Sequence, residues 1–146
     1  MSMLPKTLII EATKRTPWVI LEPGRIFIMG RSIPENPGEF FRPVQDWLTQ
    51  YASEYKDESK IILGFEYINT SSIKWVFTIL RGLSEMEGLE NKANVTWYYE
   101  QGDDDLSELG FIIRSLVDCP FLLIEVDDMN MEKYQKILSD SSEPNR

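Results

Sequence analysis

The sequence contains no histidine and a single cysteine, Cys119. Without histidine the commonest general base and the commonest metal ligand are both missing, so Ser-His-Asp and Cys-His catalysis cannot be assembled within the chain. One cysteine makes neither a disulfide framework nor a cysteine-based zinc site. It precedes the apolar run Phe121-Leu122-Leu123 and reads as a buried structural thiol. Basic residues are outnumbered, with 15 Lys and Arg against 24 Asp and Glu, a formal charge of −9 and no basic run. That balance offers no footprint for a nucleic-acid backbone or an anionic membrane surface, and neither is expected as a partner. Long apolar stretches are absent as well. Thr7-Leu8-Ile9-Ile10 is too short for a signal-peptide core and nothing later approaches a membrane span, which points to the cytoplasm. No glycine-rich phosphate loop is present, and no cofactor is expected.

What is there suffices for one folded domain: 146 residues, 42% of them hydrophobic and 12% aromatic. Residues 6–12, 18–22 and 25–29 read as strands, the last two joined into a hairpin by Pro23-Gly24. Phe40, Phe41, Val44, Trp47, Leu48 and Tyr51 recur at helical spacing, with Pro43 placed in the first turn. A β-rich run at 61–68 ends in Asn69-Thr70-Ser71-Ser72, and Ile73, Val76, Phe77, Leu80 and Leu83 then mark a second helix. Strands follow at 93–100 and 121–126, with a third helix between them opened by a capping box of Asp105 and Glu108. A last helix occupies 131–138. Three strands followed by alternating helix and strand argue an α/β fold, a single mixed β-sheet with helices packed against it. Residues 1–138 form one domain in this reading, and 139–146, polar and proline-containing, a flexible tail.

The segment Asn69-Thr70-Ser71-Ser72 is the most informative. Every residue in it can cap a helix, and a helix start combines unpaired N–H donors with the positive end of the dipole, a place that receives phosphate readily. Ordinary capping explains the same residues without any signalling role. Arg31, in the stretch Gly30 to Pro37 between hairpin and helix, is suited to pair with a phosphate or carboxylate; a surface ion pair of little energetic value is the plainer alternative. Asp103-Asp104-Asp105 reads as an acidic first turn complementing the helix dipole, and a divalent-metal site is the competing interpretation.

Taken together, Thr16-Pro17, Gly30-Arg31-Ser32-Ile33-Pro34-Glu35, Trp47 and Tyr51, Tyr67-Ile68-Asn69-Thr70-Ser71-Ser72-Ile73-Lys74, and Trp97-Tyr98-Tyr99 before the acidic turn resemble the SiaC-type regulatory phosphoproteins of bacterial biofilm control. The resemblance implies a STAS-like fold, similar to anti-sigma-factor antagonists, with Thr70 as the phosphorylation site and Asn69, Ser71, Ser72 and Arg31 around it. It further implies a Ser/Thr protein kinase, a PP2C-like phosphatase, and a diguanylate cyclase that the unphosphorylated form binds and activates in cyclic-di-GMP signalling. The chain itself is then no enzyme. Two alternatives compete with that switch: a metal-assisted phosphoesterase using Asp103, Asp104 and Asp105, and a constitutive adaptor in which the residues around Thr70 only cap a helix.

Overall fold

A computed structural model describes residues 3–86 and 92–142. Ten elements follow in order: β1 (Leu8–Ile10), β2 (Trp18–Glu22), β3 (Arg25–Ser32), α1 (Pro37–Glu54), β4 (Ser59–Ile68), α2 (Thr70–Glu85), β5 (Ala93–Glu100), α3 (Asp104–Leu116), β6 (Phe121–Val126) and α4 (Met131–Ser141). The six strands make one mixed sheet in sequence order, β1-β2-β3-β4-β5-β6. β1, β2 and β3 pair antiparallel, whereas β3 through β6 run parallel. Parallel neighbours need a crossover, and crossovers in proteins are almost always right-handed. Because the parallel strands advance across the sheet in one direction, α1, α2 and α3 all fall on the same face.

Burial follows from that topology. Alternate strand residues such as Ile26, Ile28, Ile61, Leu63, Phe65, Val95 and Trp97 meet Phe41, Val44, Tyr51, Val76, Leu80 and Ile113 of the three crossover helices in the main core. The intervening residues point the other way. Ile20, Phe27, Met29 and Ile62 form a second, smaller cluster with Met129, Tyr134 and Ile137, so α4 alone covers the opposite face.

Several boundaries differ from those read in the sequence. α1 begins at Pro37 behind Asn36, whose side chain accepts the Glu39 N–H at 3.1 Å, so Pro43 lies inside the helix rather than in its first turn. Proline there leaves the Glu39 carbonyl without its helical donor. Both residues are exposed. The third helix is capped by Asp103, which accepts the Leu106 N–H at 3.1 Å; Asp105 stands in the first turn and makes no capping box with Glu108. β1 is shorter than the run at 6–12, as befits an edge strand. α4 takes in Ser139, Asp140 and Ser141, and residues 143–146 lie outside the described residues. Cys119 is half-buried, and burial followed by the neighbouring Asp118 pushes its thiol pKa up, away from the reactive thiolate.

Candidate functional site

The strand-to-helix junction after β4 is built by hydrogen bonds that hold Asn69, Ser71 and Ser72 in different ways. Asn69 is the N-cap: its extended backbone ends the strand, its N–H donates to the Ser32 carbonyl at 3.0 Å, and its Oδ1 accepts the Ser72 N–H at 2.9 Å. Ser71 adds its hydroxyl to the same Asn69 oxygen at 3.2 Å. Ser72 is fully buried, donating to the Ser32 carbonyl at 3.2 Å and paired hydroxyl to hydroxyl with Ser32 at 2.8 Å. Thr70 is thus the first residue of α2 and not its cap, and its side chain is exposed. Of the three hydroxyls it is the one standing clear of the protein.

Electrostatics single out the same place. α1, α3 and α4 each carry acid in the first turn, namely Glu39, Asp104 with Asp105, and Glu132, whereas α2 has none. A helix start presents about half a positive charge, which nearby anions neutralise. At α2 that partial charge is left uncompensated by side chains of its own first turn. Lys74 lies four residues beyond Thr70, hence on the same helical face, and is also exposed. The sequence motif includes this lysine but gives it no site role, although its i, i+4 spacing from Thr70 is the signal for one.

Arg31 does not sit in a loop. β3 continues through it to Ser32 past an irregularity between Gly30 and Arg31, placing Arg31 opposite Tyr67 of β4. Gly30 has φ +133, and a Cβ there would come within 3.4 Å of the Pro17 backbone, so the irregularity depends on glycine. The Arg31 guanidinium donates to the Lys14 carbonyl at 3.1 Å, and among the described residues no carboxylate pairs with it. Tyr67, which opens the motif around Thr70 but carries no site role in the sequence reading, is 51% exposed three residues before Thr70. The sheet therefore brings Arg31, Tyr67 and the Asn69–Ser72 cluster to one end of β3 and β4.

The other candidate centre lies at the start of α3. Asp103 serves as the N-cap of α3, with Asp104 and Asp105 in its first turn. Among the described residues no group of three or more Cys, Asp or Glu side chains is arranged to hold a metal ion. No described helix is long and apolar enough to cross a membrane. Trp97 is buried and donates its indole N–H to the Leu106 carbonyl at 3.0 Å, tying the start of α3 to β5.

Comparison with known proteins bears on both fold and site. The model of a family described as SiaC family regulatory phosphoprotein matches residues 10–126. An uncharacterised protein of Pseudomonas aeruginosa strain UCBPP-PA14 is 30% identical over 121 residues, covering 82% of this chain and 96% of that protein. Among solved structures, SiaC of Pseudomonas aeruginosa superposes with a TM-score of 0.75 at 29% identity, over 84% of this chain and 100% of its own. The same organism's complex of the diguanylate cyclase SiaD with its activator SiaC contains a chain that matches at TM-score 0.74 and 29% identity, covering 82% of this chain and 99% of its own. The mixed sheet with its helices is thus the architecture of the solved SiaC structures.

Proposed function

The chain belongs to the SiaC family of regulatory phosphoproteins, and from that premise we propose that it is a switch whose Thr70 is phosphorylated to change its partner. Its unphosphorylated form binds and activates a diguanylate cyclase, as SiaC does in the solved complex with SiaD. A Ser/Thr protein kinase adds the phosphate and a PP2C-like phosphatase removes it, both acting in the cytoplasm. The chain contributes a surface rather than a reaction.

One observation carries the assignment to Thr70: it is the exposed hydroxyl at the only described helix start without an acidic residue in its first turn. A phosphate brings roughly −1.5 to −2 charges and three acceptor oxygens. At Thr70 the α2 N–H groups and Lys74 receive those charges without refolding. Ser72, enclosed against Ser32, admits no kinase without opening the junction. The modified surface becomes bulky and dianionic, so a partner packed on neutral hydroxyls loses contact and meets desolvation cost. A loss of about 2.7 kcal/mol is already a 100-fold drop in affinity.

Phosphopeptide mapping after kinase treatment should place the label on Thr70; full label on Ser71 or Ser72 with Thr70 unmodified defeats the assignment. Calorimetric titration of the cyclase should show the phosphorylated form binding at least about 100-fold more weakly. Equal or tighter binding reverses the direction, and native protein that never carries the phosphate leaves a constitutive adaptor. Incubation with a phosphodiester and magnesium or manganese should yield no hydrolysis. Turnover abolished by Asp104→Asn means the acidic turn is catalytic after all.

A further inference from the structure

The family match covers residues 10–126, whereas α4 begins at Met131, so this helix stands beyond the matched residues. It is nonetheless received by the sheet at both ends. At its N-terminal end the Met129 N–H donates to Glu100 at 2.8 Å, and the Tyr134 hydroxyl donates to Glu66 at 2.6 Å. At its C-terminal end Arg25 donates to the Leu138 carbonyl at 3.3 Å and to the hydroxyls of Ser141 and Ser142 at 3.1 and 2.8 Å, while Lys60 donates to the Ser141 carbonyl at 3.2 Å. α4 has no basic residue in its own last turn, so two cations from β3 and β4 supply the positive charge that a helix C-terminus favours. Gly64 completes the seat, since a Cβ there would lie 2.9 Å from the Met129 methyl.

The apolar part of the contact is small and separate. Tyr134 and Ile137, three residues apart on one helical face, fit onto Ile20, Phe27, Met29 and Ile62, a cluster distinct from the main core between the sheet and α1 to α3. An apolar patch with Glu66 and Glu100 at one end and, at the other, Lys60 and Arg25, the latter also paired with Glu22, is the chemistry that recognises an amphipathic helix of one polarity. We propose that this sheet face is a helix-receiving surface, and that the chain fills it in cis with its own α4. Docked α4 closes this face to binding in trans. This second surface is independent of the phosphorylation reading.

The test is whether the face takes the helix when it is offered separately. In the full-length chain, Ile137→Asp should undock α4, and fluorescence anisotropy with a labelled peptide of residues 129–142 should then report saturable binding. The unaltered chain should bind the peptide at least about 10-fold more weakly, because a tethered competitor acts at high effective concentration. A peptide carrying Tyr134→Ala and Ile137→Asp should not bind. Folded Ile137→Asp protein that ignores the intact peptide overturns the proposal. Self-association of the variant supports it if the peptide blocks the association and opposes it otherwise. Should Ile137→Asp fail to fold, Arg25→Ala with Lys60→Met removes the C-terminal anchors, together with the Arg25–Glu22 ion pair. Amides of 131–141 should then exchange at least about 10-fold faster than those of β3 and β4. If they exchange only with global unfolding, α4 is ordinary core and the surface does not exist.

Discussion

Two junctions in this molecule occupy equivalent places and differ in charge. The end of β4 leads through Asn69 into α2, and the end of β5 leads through Asp103 into α3, each cap accepting the N–H three residues on. Both helix starts face the same end of a parallel sheet, the position where α/β proteins commonly place their functional groups. At α3 the dipole is already met by Asp103, Asp104 and Asp105, and nothing anionic remains to be gained. At α2 the same dipole meets an amide and three hydroxyls. A permanent charge makes a stable helix start; a neutral one leaves room for a charge that comes and goes. The difference teaches that, among the described helices, only the α2 start has acid withheld from its first turn, which is what a site for a reversible charge requires.

The largest effect should come from placing a fixed charge one turn too deep. Ser72 is enclosed with both of its oxygen contacts on Ser32, so Ser72→Asp puts a carboxylate in a buried site where, among the described residues, no basic side chain contacts position 72. An uncompensated buried charge costs about 3 kcal/mol or more, a fall in melting temperature of about 10 °C or more for a domain of this size. Thermal unfolding measures it directly. A variant melting with the parent means the junction is open at Ser72, and Thr70 loses its advantage over the neighbouring serine.

Next in size are the caps themselves. Asn69→Ala and Asp103→Ala each remove the acceptor for one helix N–H and should each cost about 1 kcal/mol, readable as a shifted urea midpoint at unchanged slope. Equal losses show that neutral and anionic caps stabilise their helices alike, so that the charge at α3 is supplied by its first turn as a whole. A loss at Asp103 several times that at Asn69 assigns the charge to the cap alone and weakens the comparison of first turns.

Much of this was legible in the chain. Alternating apolar patterns located the strands at 18–22, 93–100 and 121–126, and Asn-Thr-Ser-Ser after a β-rich run placed a strand-to-helix junction at its actual position. Errors arose where two physical signals overlapped. Asn36-Pro37 is a helix start, but Gly38 after it and the apolar stripe beginning at Phe40 made it read as loop, and Pro43 was displaced into the first turn in consequence. β3 runs past Gly30 because an irregular register absorbs it, an event set by the partner strand and invisible in the strand's own residues. Four consecutive polar residues from Asn69 to Ser72 give no hint which hydroxyl is enclosed. Ser32, forty residues earlier, decides it, and only the sheet brings the two together.

The smallest effect tests the comparison most directly, because it predicts opposite signs at the two junctions. Thr70→Asp adds a carboxylate to a first turn that has none, on the face that also carries Lys74, and should stabilise the protein by about 0.3–1 kcal/mol at low ionic strength. Asp104→Asn removes one of the acids at α3 and should destabilise by a similar amount. In melting temperature each shift is about 1 to 4 °C. Neither substitution touches a cap, so hydrogen-bond loss does not enter. Both residues are exposed, and salt should therefore screen both shifts, leaving little near 1 M where the Debye length is about 3 Å. Cap and packing effects have no such salt dependence. If Thr70→Asp destabilises, or gains stability that persists at high salt, the α2 start is not an uncompensated dipole, and the electrostatic reason for placing the phosphate there is lost. A carboxylate carries one charge where the phosphate carries nearly two, so enzymatically phosphorylated protein should shift further in the same direction. On the proposed reading the phosphate would stabilise the protein that carries it while lowering affinity for the cyclase, with no unfolding required.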